Sequence, residues 1–107
     1  MKRALFVCSR NRLRSPTAEA VFASWADVET DSAGLDHDAI VPLSAEQIEW
    51  ADLIFVMEKS HRRRLNQKFR RWLNGKRVIC LDIPDEYGQM QPELVERLVA
   101  TAGRHLR

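Results

Sequence analysis

A chain of 107 residues, 45% of them hydrophobic, can bury one core and is too short for two. No apolar run approaches membrane-spanning length, and the run after Met1-Lys2-Arg3 is too short for a signal peptide, so a soluble cytoplasmic protein with no membrane partner is expected. The net charge of +2 hides a block from 59 to 77 that carries nine Lys or Arg and no Asp or Glu, leaving −7 on the rest of the chain.

Ala4 to Val7 is a continuous apolar run suited to a central parallel strand. Pro16 fits the first turn of a helix reaching about Ala26, with Ala20, Val21, Phe22 and Trp25 as inward candidates. Val28 to Asp31 reads as a weak second strand ending at Ser32-Ala33-Gly34. Ser44 with Gln47 three residues later is a capping-box pattern, opening a short helix that ends near Trp50. Leu53 to Met57 is the clearest strand. A basic helix follows from about Ser60 to Leu73, stopped by Asn74-Gly75, then a strand from Val78 to Leu81. Pro92 opens a final amphipathic helix through Leu94, Val95, Leu98, Val99 and Ala102. This βαβαβαβα order predicts a three-layer α/β sandwich: a parallel sheet with helices on both faces and ligand-binding loops at the carboxyl ends of the strands. Residues 1–107 read as a single domain.

The basic block could face an anionic partner, nucleic acid among them, or could be the solvated face of one helix; Leu65, Phe69 and Trp72 form its apolar stripe. Two cysteines are too few for a disulfide scaffold and too far apart for a zinc knuckle, so reduced thiols are expected. Cys80 lies in an apolar run and reads as a small buried hydrophobe. His37 and His61 have no third partner spaced to join either as a metal ligand.

Cys8-Ser9-Arg10-Asn11-Arg12-Leu13-Arg14-Ser15-Pro16 sits between the first strand and the first helix. Unpaired amides and the positive end of the helix dipole converge there, which favours an anion. Arg14, six residues after Cys8, can grip two phosphoryl oxygens while a thiolate attacks phosphorus. No Gly-Lys-Ser/Thr string is present, so a Walker-type nucleotide loop is excluded.

The stretch from Val7 to Phe22 resembles the low-molecular-weight protein tyrosine phosphatases, whose first loop and helix read V-C-x-G-N-x-C-R-S-P-x-A-E. Asp31-Ser32-Ala33-Gly34, then Ala51 to Glu58 with His61, and Asp82-Ile83-Pro84-Asp85-Glu86-Tyr87-Gly88 are similar to later stretches of the same family. The resemblance implies a four-stranded sheet in order 2-1-3-4 and a metal-independent phosphatase with no cofactor. Its substrates would be aryl phosphate monoesters, whether a small aryl phosphate or a phosphorylated protein bearing phosphotyrosine. It also implies Cys8 as nucleophile, Arg14 as phosphoryl clamp and Asp85 as general acid, with Asp82 the alternative acid. Ser9, Arg10, Asn11, Arg12, Leu13 and Ser15 would form the phosphate loop. Ser32 would brace Asn11 or simply shape a turn, and Tyr87 would line the entrance.

Arg10 replaces the family's loop glycine, so its side chain must point outward or the loop must differ. Leu13 replaces a second loop cysteine, so reversible disulfide protection of Cys8 is not expected. Glu86 stands where a proline usually follows the acid, and the short segment after Gly34 implies that part of the pocket wall is missing. With Arg10 and Arg12 at the mouth, substrates more acidic than a lone phosphotyrosine are expected. Competing readings are an arsenate reductase, which needs more cysteines than Cys80 supplies, and a phosphate-sensing or nucleic-acid-associated module working through the basic helix.

Overall fold

The computed structural model describes residues 1–107. Along the chain run β1 (Lys2–Cys8), α1 (Arg14–Phe22), β2 (Val28–Gly34), α2 (Ala45–Trp50), β3 (Leu53–Val56) and α3 (Lys59–Phe69). A 3₁₀ turn (Arg70–Trp72), β4 (Arg77–Cys80), α4 (Pro92–Thr101) and α5 (Gly103–Leu106) complete it. The four strands are parallel, in the expected order β2-β1-β3-β4. Successive strands leave β1 on opposite sides, so a crevice opens at the carboxyl end of β1.

Strand alternation sends neighbouring β1 side chains to opposite layers. Ala4, Phe6 and Cys8 join Phe22 of α1, Phe55 of β3 and Leu94 and Leu98 of α4. Leu5 and Val7 join Ile48 of α2, Ile54 and Val56 of β3 and Leu65 of α3. Helices therefore cover both faces of the sheet, which is why β1 and β3 are apolar at every position from Ala4 to Val7 and Leu53 to Val56. Phe6 stacks between Phe22 and Phe55, with centroids 5.6 and 5.1 Å away.

Several boundaries differ from expectation. The first helix begins at Arg14, two residues before Pro16, and stops at Phe22; Asp27, at φ 61°, then turns the chain into β2. Ala18 and Phe22 are its buried apolar residues, whereas Ala20 is exposed. The second strand runs on to Gly34, because pairing with β1 along its whole length does not require an apolar sequence on an edge strand. The basic helix gives way to the 3₁₀ turn after Phe69, and Gly75 supplies the left-handed stop at φ 79°. Cys80 is only half-buried on the edge strand; burial pushes its thiol up, and it contacts Asp82. No helix is long and apolar enough to cross a membrane.

Candidate active site

The loop after β1 is shaped by the segment that follows β2. Carbonyls of Cys8, Ser9 and Arg10 accept hydrogen bonds from the amides of Leu35 (2.9 Å), Asp36 (2.9 Å) and Ile40 (3.1 Å). A trans peptide holds its N–H opposite its C=O, so pinning these carbonyls to one side turns the amides of Ser9, Arg10 and Asn11 to the other. Asn11 shows the result: its N–H meets Cys8 Sγ at 3.3 Å. The amides of Ser9, Arg10, Arg12 and Leu13 donate to no protein group and are left for an anion. Gly34 permits the close approach; a Cβ there would lie 2.5 Å from Ala39 Cβ and 2.6 Å from the Ser9 carbonyl. Arg10 has no positive φ, and its largely exposed side chain turns out to Asp36 at 4.0 Å, which is how an arginine is accommodated in place of glycine.

Cys8, 4% exposed, receives the end of a polar chain whose direction is fixed by its far terminus. The Glu19 carboxylate can only accept, so Ser32 donates to it. Ser32 Oγ then accepts from Asn11 Nδ2 (2.9 Å), whose second proton goes to Ser15 Oγ (2.9 Å). The Ser15 hydroxyl proton is left to donate to Cys8 Sγ at 3.0 Å. Asn11, at φ 58°, uses the left-handed region to face both serines. The sulfur thus faces both the Asn11 amide and the Ser15 hydroxyl.

Arg14 is 5% exposed, yet its partners leave one edge open. Nη1 donates to Glu58 Oε2 (2.6 Å) and to the Ile83 carbonyl (2.8 Å). Nη2 has no protein partner, and Nε has only the Asp85 carboxylate at 3.7 Å, so two parallel donors remain for an oxyanion. Asp85 itself is 62% exposed at the mouth. Asp82 is exposed, at φ 54°, and contacts Cys80 instead.

His61, 1% exposed, anchors the opposite wall. The Glu58 amide donates to its Nδ1 (3.1 Å), so the ring proton is on Nε2 and is donated to Ser9 Oγ (3.1 Å). Burial, reinforced by the Arg14 guanidinium, lowers its pKa from 6.5 to about 4. The unfolded chain takes up this proton first as pH falls. Stability from a neutral His61 is therefore complete above pH 6.5 and is lost progressively as pH falls toward 4, by up to about 3 kcal/mol. Urea unfolding at about pH 7.5 and about pH 4.5 should show this loss in the native chain and a shallower one in His61→Asn; equal losses would contradict it. Arg64 also donates to Ser9 Oγ (3.1 Å) and hydrogen-bonds Asp36, holding that carboxyl below its usual range.

These residues surround a cavity of about 600 Å³ lined by Cys8, Ser9, Arg10, Arg12, Leu13, Arg14, Glu58 and Asp85. Seven of the residues singled out in the sequence meet there. Asn11, Ser15 and Ser32 stand behind the loop, buried and bonded to one another. Tyr87 is not in the lining: its half-buried ring packs against the apolar cluster of α1 and α4. No residue of 35–44 lines the cavity either, in keeping with the short segment there. Glu58 and Arg64 are site residues that sequence reasoning missed; Glu58 followed by His61 at the start of a helix was the available signal. No group of three or more His, Cys, Asp or Glu is arranged to hold a metal ion.

Of the nine cations between 59 and 77, four fasten α3 and its surroundings to the body. Arg64 holds Ser9 and Asp36, Arg62 the Val78 carbonyl, Lys68 the Leu35 carbonyl, and Lys76 the carbonyls of Glu49 and Ala51. Much of the block is structural clasp.

No protein-family model matches the chain, and no curated protein sequence does. Solved structures do. A YwlE mutant from Bacillus subtilis is 25% identical, with a TM-score of 0.77 and 100% of both chains covered. A structure described as the YwlE arginine phosphatase with a phosphorylated active-site serine is 26% identical, with a TM-score of 0.77, covering 98% of this chain and 96% of that one. A low molecular weight protein tyrosine phosphatase from T. tengcongensis is 24% identical, with a TM-score of 0.73, covering 96% of this chain and 94% of its own.

Proposed function

We propose, from the fold that the chain shares with the low-molecular-weight protein tyrosine phosphatases, that residues 1–107 act as one cysteine-dependent phosphatase domain that cleaves phosphate monoesters through a phosphocysteine. The observation that carries the reading is the shared cradle: the Cys8 sulfur, four unpartnered loop amides and the free edge of Arg14 face one cavity. In the first step the Cys8 thiolate forms an S–P bond as the ester P–O bond breaks. Asp85, at the mouth, gives its proton to the leaving oxygen. Arg14 follows the equatorial oxygens through the transition state, where its charge counts most. In the second step Asp85 takes a proton from water, which attacks phosphorus. The S–P bond breaks, inorganic phosphate leaves, and the Ser15 hydroxyl steadies the returning thiolate.

The substrates are aryl phosphates, protein phosphotyrosine included. Arg12, exposed and without a protein partner, and Arg10 add positive charge at the mouth for acidic residues around the phosphate. A second reading is favoured by the lining itself, which has no aromatic wall and places the Glu58 and Asp85 carboxylates beside the phosphate site. Those carboxylates could accept N–H groups from the guanidinium of a phosphoarginine, the linkage named for one structural relative.

Arsenate reduction fits poorly. Cys8 and Cys80 lie on strands separated by β3, about 10 Å apart laterally, and pack on opposite faces of the sheet. No disulfide can form between them without rearrangement. The binding-module reading survives only if Cys8 proves dispensable while charge reversal at Arg62, Arg63 and Arg70 abolishes binding.

Hydrolysis of an aryl phosphate and of phosphoarginine in the presence of chelator, with vanadate as inhibitor, tests the proposal. Vanadate-sensitive turnover is expected, and the ratio of the two rates separates the substrate readings. Asp85→Asn should lower kcat by about a hundredfold with little effect from Asp82→Asn. A greater loss from Asp82→Asn would reassign the acid, and no vanadate-sensitive turnover of either substrate would reject the phosphatase.

A further inference from the structure

Ser9 is placed on the cavity wall with a hydrogen-bond inventory that leaves one group unspent. A hydroxyl oxygen has two lone pairs and one proton. Because the Glu58 amide occupies His61 Nδ1, His61 must donate from Nε2, and Ser9 Oγ accepts that bond at 3.1 Å. Arg64 Nη1 takes the other lone pair at 3.1 Å. Both acceptor sites are filled by groups from α3, so the hydroxyl proton has to point away from them, and no protein acceptor receives it.

We propose that Ser9 is a further phosphoryl-binding residue: its hydroxyl proton, oriented by His61 and Arg64, donates to an oxygen of the phosphoryl group held over Cys8. This rests on the phosphatase reading. His61 and Arg64 are positioning residues in this arrangement, since neither has to touch the substrate. Each is itself held, His61 by burial and the Glu58 amide, Arg64 by Asp36. Ordinarily a serine hydroxyl spends rotational freedom on choosing a partner; here the choice is made before the anion arrives. Arg64 also lends positive charge beside the phosphoryl site without entering the cavity lining. The neutral state of His61, its pKa lowered to about 4, keeps this donor pattern intact at neutral pH.

The test compares native chain, Ser9→Ala and Ser9→Thr in two measurements: kcat/KM on an aryl phosphate, and the inhibition constant of orthovanadate, with thermal unfolding as a control on folding. Ser9→Ala should weaken both by about tenfold, the scale of one hydrogen bond to a charged group, with cooperative unfolding retained at a temperature lowered by the loss of the acceptor for His61 and Arg64. Ser9→Thr, which keeps the hydroxyl, should restore most of the loss; a merely structural serine would not link vanadate affinity to the hydroxyl in this way. Should Ser9→Ala fail to fold, Ser9→Cys provides the same comparison with nearly the same volume. Native-like vanadate inhibition and kcat/KM in a folded Ser9→Ala or Ser9→Cys would overturn the proposal while leaving the phosphatase reading standing. Absence of both turnover and vanadate binding in the native chain would remove the parent reading and this one with it.

Discussion

Cys8→Ser is expected to lower hydrolysis by at least about a thousandfold while leaving the fold intact. Serine fits the space of a residue that is 4% exposed at the end of β1, so packing against Ala18 and Phe55 has little reason to change. The chemistry changes instead. A hydroxyl held by Ser15 and the Asn11 amide remains protonated at neutral pH, and no side chain of the site is placed as a base to activate it: His61 donates toward Ser9, on the other side of the loop. The nucleophile is then lost, while phosphate and vanadate still find the amides and Arg14. Steady-state rates with an inhibition constant for phosphate check both halves of this expectation. Turnover near the native rate would mean that the sulfur does not attack phosphorus.

Arg14→Lys should cost about a thousandfold in kcat, a larger penalty than conservation of charge would suggest. The guanidinium has two jobs that an ammonium cannot combine. Nη1 is committed to Glu58 and the Ile83 carbonyl, which locks the plane of the fork; Nε and Nη2 are thereby aimed together at the anion site. A lysine can neutralise Glu58 or approach the phosphoryl oxygens, but it has no second pair of donors in fixed geometry. The effect should fall on kcat more than on the affinity for inorganic phosphate, because the fork matters most as charge develops on the equatorial oxygens. Equal activity in Arg14→Lys would show that the clamp acts as a point charge alone.

What the sequence made legible, and what it hid, follows from the range of the interactions. The phosphate loop is local: Cys8, Asn11, Arg14 and Ser15 lie within eight residues, and their spacing between a strand and a helix carries most of the chemistry. The apolar runs of β1 and β3 were readable because both faces of those strands are covered. The edge strand β2 was read short, since Glu29, Thr30 and Asp31 look unlike a strand until β1 is seen beside them. Trp25 suggested a longer first helix, yet the chain had already turned, and the ring packs edge-on against Phe22 with centroids 4.7 Å apart. Glu58, His61 and Arg64 escaped as site residues because their meaning lies in contacts with Ser9, Arg14 and Asp36, between 28 and 55 positions away. A basic block reads as surface charge in one dimension; in three, one of its arginines reaches the wall of the cavity.

The central claim is that a phosphoryl group passes through Cys8. The most direct measurement is a rapid quench of Asp85→Ala with excess aryl phosphate, followed by peptide mass mapping, because this variant lacks the group that would activate water to clear the intermediate. One phosphoryl group on the peptide containing Cys8, formed together with a burst of the aryl alcohol, is the predicted result. Turnover with no phosphoryl group on that peptide, or with one on another side chain, would contradict the account.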